Sequence, residues 1–218
     1  MDKKNVLVIG ANGKVGTLLV KKLKDTKELA PVAGIRKPEQ VEKFDKLGVQ
    51  HIMFDLTATV EELAAKMIDV HAVVFSAGSG GHTGYDQTLV IDLDGAIKSI
   101  EAAEKMGVKR YIMVSGIDAD SRENWENSGI KPYYIAKHYA DRFLKSSKLE
   151  YTILRPGLLL DGEGTGSIAL EAGANKRQIF RDDVASTIVE CLTNDNTIGQ
   201  SLVLVNGDQA IDSSVQQL

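Results

Sequence analysis

Tyr133 and Lys137 stand four residues apart in KPYYIAKHY, a spacing that stacks a phenol and an ammonium on one face of a helix. The cation favours ionisation of the phenol, whose unperturbed pKa is about 10, making it a workable proton donor or acceptor near neutrality. Alone the pair proves little, because Tyr-x-x-x-Lys also arises by chance as a surface contact. It gains force if the chain places a reactive ligand beside it, and KNVLVIGANGKVG offers the means. Gly10, Gly13 and Gly16 follow the apolar run Val6, Leu7, Val8, Ile9 and precede Thr17, Leu18, Leu19, Val20 and Leu23 at helical spacing. At such a strand-to-helix turn Gly10 permits the tight bend, Gly13 lets backbone approach a pyrophosphate, and Gly16 lets the helix lie close to the strand. The helix N-terminus then presents unpaired N–H groups and a partial positive charge to the anion.

Roughly twenty residues further on, where a dinucleotide fold reads the adenosine ribose, stands Arg36. A carboxylate there would hold the ribose hydroxyls of NAD and repel an added phosphate. Arg36, with Lys37 beside it, instead offers a fork of donors to the 2′-phosphate of NADP(H). The competing reading is a solvated basic pair on a loop. Lys137 would hold the cofactor ribose as well as the tyrosine. Asp55, closing the third apolar run, either flanks an adenine or caps a turn.

The elements that must position these residues alternate. After the first helix, ending near Asp25, strands are expected at Pro31–Ile35, Val49–Phe54, His71–Phe75, Tyr111–Val114, Tyr151–Leu154 and Ser201–Val205. Between them, Pro38 opens a helix through Leu47 that Gly48 stops, and Thr59 with Glu62 forms a capping box for a helix through Met67. Gln87 to Met106 reads as one long helix whose apolar face includes Leu89, Ile91, Leu93, Ala96, Ile97, Ile100 and Ala103. Pro132 opens another to about Ser147, and Arg181–Leu192 is a third, with Asp182 or Asp183 in its first turn. Asp118–Lys131 is polar and irregular, and Gly162, Gly164 and Gly166 mark a long loop. Strands alternating with helices at this spacing predict an α/β fold. Its sheet is doubly wound and mostly parallel, flanked by helices, in one domain over residues 1–218 with a small C-terminal substrate-side region. Ligands of such sheets lie outside the carboxyl ends of the strands, which directs attention to the loops beginning at Gly10, Arg36, Asp55, Ser76, Ser115 and Arg155.

Composition narrows the class. A net charge of −4 over 218 residues gives no reason to expect nucleic acid, and no apolar run approaches a membrane span. The start, MDKKN, enters a strand at once and leaves no room for a signal peptide, so a cytoplasmic protein is expected. Cys191 is the only cysteine; its setting in VASTIVECL favours a buried structural thiol over a nucleophile. The four histidines lack ligand spacing, and no metal site is expected. A small-molecule substrate is the expected partner, and the pattern sets no oligomeric state.

The chain resembles the short-chain dehydrogenase/reductase superfamily over essentially its whole length, and within it the atypical, NmrA-like, epimerase/dehydratase-like branch. The likeness rests on VIGANGKVG, the arginine after the second strand, VVFSAGSGG, IDLDGAIKSIEAAEKMGVKRYIMVS, YYIAKHYAD and YTILRPGLL. It implies NADP(H) at Gly10, Asn12, Gly13, Lys14, Val15, Gly16, Arg36 and Asp55, with Ser76, Ala77 and Gly78 along the ribose and Pro156 and Gly157 near the nicotinamide. Tyr133, Lys137 and Ser115 are the catalytic residues it implies. Two positions depart from the superfamily pattern: Asp92 stands for the helix asparagine, and Ser115 falls one residue before the usual serine, with Gly116 in its place. The chain is also short after the sixth strand, leaving little to grip a nucleotide sugar, which argues against a sugar-nucleotide epimerase. The expectation is an NADPH-dependent reductase of a small carbonyl, quinone or flavin-like acceptor. Its rival is an NADP(H)-binding redox sensor that does no turnover, favoured by the two departures.

Overall fold

The protein is described from a computed structural model, in which residues 3–81, 83–126, 128–171 and 177–218 are placed. The opening apolar run forms β1 (Lys4–Ile9), and Gly10, at φ +84°, turns the chain into α1 (Lys14–Asp25). Then come β2 (Leu29–Ile35), a single turn at Pro38–Gln40, α2 (Val41–Leu47), β3 (Gln50–Met53), α3 (Val60–Ala65) and β4 (Ala72–Phe75). A short α4 (Tyr85–Gln87) runs through a π-helical stretch, Thr88–Gly95, into α5 (Ala96–Lys105), followed by β5 (Arg110–Val114) and a one-turn α6 (Arg122–Trp125). The second half holds α7 (Lys131–Ser146), β6 (Glu150–Pro156), β7 (Leu158–Leu160), β8 (Ser167–Ala169), β9 (Gln178–Phe180), α8 (Arg181–Thr193), β10 (Gln200–Asn206), β11 (Gln209–Ala210) and α9 (Ile211–Gln216).

Nine strands form one sheet in the order β11-β8-β10-β6-β5-β4-β1-β2-β3, parallel from β10 to β3, with β8 and β11 antiparallel at one edge. Strands this thoroughly buried read as continuous apolar runs because helices cover both faces. One face packs Val6, Val8, Leu19, Leu23, Ile188 and Leu204 with α1 and α8; the other packs Leu7, Ile9, Val73, Ile100, Tyr111 and Leu144 with α3, α5 and α7. Registers pair Ile9 with Gly34 and Phe75, and Val114 with Leu154. The loops that follow these strands therefore open along one edge, and the order reverses between β1 and β4, where such folds form a crevice.

The doubly wound α/β expectation holds, and the element bounds shift by a few residues. The Thr59–Glu62 capping box is present in both directions. Two readings need correction. Gln87–Met106 is not one regular helix: i→i+5 winding over Thr88–Gly95 rotates the buried face, so Thr88, Ile91, Asp92 and Gly95 turn inward and Leu89 is half exposed. Periodicity at 3.6 residues cannot register that inserted residue. The C-terminal third also holds more strand than its apolar pattern announced, since β7 and β9 pair as a separate parallel ribbon and β8 lies where a plain loop was expected. The loop before β8 is held by the first turn of α8: Asp183, fully buried, accepts from the amides of Thr165 and Gly166 at 2.9 Å each.

Behind the sheet, Arg110 ties three elements through uncharged acceptors. Its guanidinium donates to the Glu150 carbonyl at 2.7 Å, Thr152 Oγ1 at 2.7 Å, the Cys191 carbonyl at 2.8 Å and Thr197 Oγ1 at 2.7 Å. The Cys191 carbonyl belongs to the last turn of α8, whose partial negative charge suits a cation. The thiol of Cys191 is buried and pushed up to about 12, which keeps it protonated and unreactive. Replacing Arg110 by Met keeps most of the volume but orphans these acceptors. A hydrogen bond to a charged group contributes about 1.5 to 3 kcal/mol, so Arg110→Met should lower the thermal midpoint by roughly 3 to 12 °C. A midpoint within about 2 °C of wild type in a calorimetric scan would show that the four bonds are dispensable.

Candidate active site and cofactor cleft

The glycine turn is closed by contact. A Cβ on Gly16 would lie 2.3 Å from the Gly10 carbonyl oxygen, and one on Gly10 would lie 2.7 Å from the Ala77 nitrogen. Any side chain there would lever α1 off the turn, or the turn off the β4 loop. Gly13 donates to the Gly10 carbonyl at 2.9 Å and caps α1 without a side-chain acceptor, and the first turn carries no acid. The first amides of α1 thus keep a positive helix end free of any protein anion in that turn.

A cleft of about 340 Å³ runs along this turn, lined by Gly10, Asn12, Gly13, Arg36, Gln40 and Ser76–Ser79. It continues past Ser76–Ser79 into a cavity of about 620 Å³ that contains Val15, Asp92, Tyr133 and Lys137. Beyond Tyr133 a third cavity of about 780 Å³ opens between Gly116–Asp118, Tyr134, Pro156–Leu159, Arg177 and Arg181. Tyr133, Ser115, Ile130, Leu159 and Arg181 line both of the last two cavities. The grooves form one path from the glycine turn to the tyrosine, over the ends of β1, β4 and β5.

At its centre Asp92 joins an expected group, Lys137, to one that was not expected, Ser79. Its carboxylate pairs with Lys137 Nζ at 3.1 Å and accepts from the Ser79 amide at 2.9 Å, both partners of the ion pair being almost fully buried. The π-helical turn is what carries Asp92 inward to meet them. Burial works against the charge on Lys137, but Tyr133, once ionised, and Asp92 more than offset it, and the Lys137 pKa lies above its ordinary value. Lys137 lies 5.6 Å above the Tyr133 ring. Lys137 favours ionisation of the phenol as expected, but the net direction differs: burial, helped by Asp92 and Asp141, outweighs Lys137, and the Tyr133 pKa lies above that of a free phenol. Tyr133 is a protonated donor at neutral pH.

Ser115 lines both of these cavities with Tyr133. Its hydroxyl is buried without a hydrogen-bond partner among the described residues and lies beside Asp141, whose carboxyl it helps to stabilise against the larger opposing effect of burial. Ser115 continues the β5 alternation with its hydroxyl toward α7. Gly116 faces the tyrosine instead: a Cβ there would lie 3.2 Å from the Tyr133 hydroxyl. Asp141 and Arg155, paired at 3.1 Å, lie behind it as a buried base, with Arg155 also bonded to Asp120.

The remaining expected residues divide. Asn12, Gly13, Arg36, Ser76, Ala77 and Gly78 line the first cleft, Val15 lines the second cavity, and Pro156 and Gly157 line the third. Lys14 turns to Asp161 at 2.5 Å, and Asp161 also takes Arg181 at 2.7 Å. Asp55 caps a turn, its carboxylate accepting from Thr57 N and Oγ1 at 2.9 Å each, while its neighbours Phe54 and Leu56 line the cleft. Sequence reasoning missed Gln40, Lys43, Ser79 and Arg181. The first two follow the basic pair by a few residues, a signal within reach of the helical spacing; the others are brought in by topology.

A doubly wound sheet, a glycine turn over its switch point and a tyrosine–lysine pair beside the same groove define a nicotinamide-dinucleotide-binding protein of the atypical short-chain dehydrogenase/reductase type. The chain belongs to the family described as NAD(P)H-binding, which it matches over residues 10–195. It is 45% identical over 213 residues to the uncharacterized sugar epimerase YhfK of Bacillus subtilis, covering 98% of this chain and 99% of that one. Among solved structures, a Bacillus halodurans protein assigned as an NAD-dependent epimerase/dehydratase superposes with a TM-score of 0.91 at 41% identity, covering 99% of this chain and 100% of the other. ChuY, an anaerobillin reductase from Escherichia coli O157:H7, superposes with a TM-score of 0.78 at 26% identity over 94% and 98% of the two chains.

The cleft makes a first test possible. Gly13 has φ −67°, and a Cβ there would lie 3.1 Å from the Gly10 carbonyl oxygen, a contact relieved by a small shift of the turn, so Gly13→Val should fold while its branched side chain enters the groove. Loss of about 3 kcal/mol of phosphate contacts would weaken NADPH and NADH by more than roughly 100-fold. Unchanged circular dichroism with normal dinucleotide binding by fluorescence titration would mean that the phosphates lie away from this turn.

Proposed function

We propose that the protein is an NADPH-dependent reductase acting on a small, flat, mainly apolar carbonyl, quinone or flavin-like acceptor. One observation carries the reading: Tyr133 stands where the cofactor groove meets a separate cavity. Ile117, Ile130, Tyr134, Pro156, Leu158 and Leu159 give that cavity an apolar wall, better matched to a conjugated acceptor than to a sugar's hydroxyls. This favours reduction over the epimerisation named for YhfK. The reductase name of ChuY is in accord. A lone buried cysteine, with no disulfide possible within the chain, fits a reducing compartment and supports a cytoplasmic setting.

The residues divide the work. The glycine turn and the α1 amides would receive the pyrophosphate, and Arg36, with no protein anion within ion-pair distance among the described residues, would receive the 2′-phosphate. A reduced nicotinamide supplies hydride to the acceptor carbon when bound. Tyr133 gives its phenolic proton to the acceptor oxygen as charge develops there, completing a two-electron, two-proton reduction with the hydride. The Lys137 ammonium, fixed by Asp92, then faces the phenolate until solvent returns the proton.

Three measurements test this. Arg36→Ala should weaken NADPH by roughly 10- to 150-fold, the worth of a charge-assisted bond, and leave NADH nearly unaffected; equal weakening of both, or tighter wild-type binding of NADH, removes the cofactor choice. With the best acceptor from a screen of quinones, flavins and dicarbonyls, Tyr133→Phe should lower kcat by about 10² to 10⁴-fold, the range of general acid catalysis, at unchanged NADPH affinity. Because the acid form is the active one and its pKa is raised, turnover by the wild type should show no loss from Tyr133 deprotonation between neutrality and about pH 10. A fall centred near pH 7 would assign the proton to another group. A second reading, a sensor that binds NADP(H) without turnover, is favoured by the enclosed Ser115 hydroxyl and by Gly116 beside the tyrosine. Tight NADPH binding with no oxidation by any acceptor would decide for it.

A further inference from the structure

Around Arg36 the first cleft presents donors whose orientation is fixed from behind. Lys43, on α2, sends its ammonium to Asn12 Oδ1 at 2.9 Å, to the Asn12 carbonyl at 3.5 Å and to Thr17 Oγ1 at 2.7 Å, and Thr17 in turn donates to the Ala11 carbonyl at 3.0 Å. An ammonium can only donate, so the Asn12 carboxamide must meet it with oxygen and keep both Nδ2 hydrogens for another partner. Gln40 repeats the arrangement. Its Oε1 accepts from the amides of Arg36 at 2.9 Å and Lys37 at 3.2 Å, which leaves its Nε2 hydrogens unclaimed by these contacts. Asn12, Arg36 and Gln40 all line the same cleft. Two carboxamides with their oxygens pinned, and a guanidinium, make a cluster of donors. Every acceptor that Lys43 meets here is neutral, so its charge is not cancelled by these bonds. Its pKa is lowered by burial and by Lys21, a cost that a bound anion would relieve.

We propose that Lys43 and Gln40 are specificity-determining residues of a phosphomonoester subsite. Lys43 acts as a positioning residue that presents the Asn12 amide, Gln40 presents its own, and the two join Arg36 around the 2′-phosphate of the cofactor. This rests on the NADPH reading and deepens it. A single arginine on a loop is a mobile cation; two oriented amides beside it convert charge attraction into recognition of a tetrahedral dianion. The same arrangement gives NAD no benefit, since a ribose hydroxyl at that point finds donors where it also needs an acceptor.

The experiment compares adenosine 2′,5′-bisphosphate with adenosine 5′-monophosphate by calorimetry, beside NADPH and NADH by fluorescence titration. Gln40→Glu keeps the oxygen that accepts from Arg36 and Lys37 but places a carboxylate oxygen where the amide donated. It should weaken the bisphosphate and NADPH by at least ~10-fold, and the monophosphate and NADH by no more than about twofold. Lys43→Met should produce the same selective loss, of about 10-fold, by releasing Asn12. Should Lys43→Met loosen the glycine turn as a whole, both nucleotides would weaken together, and Lys43 would be a structural staple with no part in selectivity. Gln40→Glu remains decisive in that case, because Gln40 touches only the β2 loop among its described contacts. A wild type that prefers the bisphosphate while both variants keep that preference overturns the subsite and leaves the NADPH reading standing. A wild type that binds the two nucleotides equally overturns both.

Discussion

The structure depends on one close approach: the backbone of the glycine turn packed against the backbone of α1 and of the β4 loop. With Gly16 to Gly10 and Gly10 to Ala77 at distances that exclude any Cβ, the N-terminus of α1 is seated at the point where the strand order reverses. Its partial charge is thereby aimed along the cleft. Lys43 and Thr17 hold the outer side of the same turn. Any side chain at either glycine would displace the helix end or the β4 loop, and the path from the turn to Tyr133 would lose its origin.

Much of this was legible because it is local. A glycine triplet between a β-branched run and an amphipathic helix has few alternatives, and the arginine at the end of the next strand is positioned by sequence distance alone. Ser115, Asp92 and Lys43 mark where local reading stops. Whether a residue after β5 meets Tyr133 in the first turn of α7 or Asp141 further along it turns on one step of strand alternation, which motif spacing does not resolve. Asp92 stood out only as a departure from a pattern. That it reaches both Lys137 and Ser79 follows from a π-helical turn whose inserted residue leaves no mark in hydrophobic periodicity. Lys43 carried no motif, and its contact with Asn12 spans 31 residues across two elements.

The C-terminal third was the least legible. Its short strands depend on partners rather than on their own sequence: β7 exists because β9 lies beside it, and β8 because β10 and β11 do. Isolated three-residue runs are below the length at which β-propensity decides anything. The glycines read there as a loop do form one, yet Asp183 fixes it from the first turn of α8, so that Arg181 enters the site from a rigid support.

Asp92 also sets the direction in which the tyrosine is useful. A carboxamide at this position would orient Lys137 and leave its charge to act on the phenol. A buried carboxylate at 3.1 Å meets that charge directly, and its own negative charge opposes a phenolate nearby, which together with burial keeps Tyr133 protonated. Lys137 is therefore better placed to accept a transient phenolate than to create a standing one. A protonated phenol serves a reaction that must deliver a proton to an oxygen gaining electrons, whereas removal of a proton from an alcohol needs the phenolate first. On the proposed reductase reading, Asp92 in place of an asparagine-like group suits the site to reduction, by the same ion pair that anchors the π-helical turn to α7.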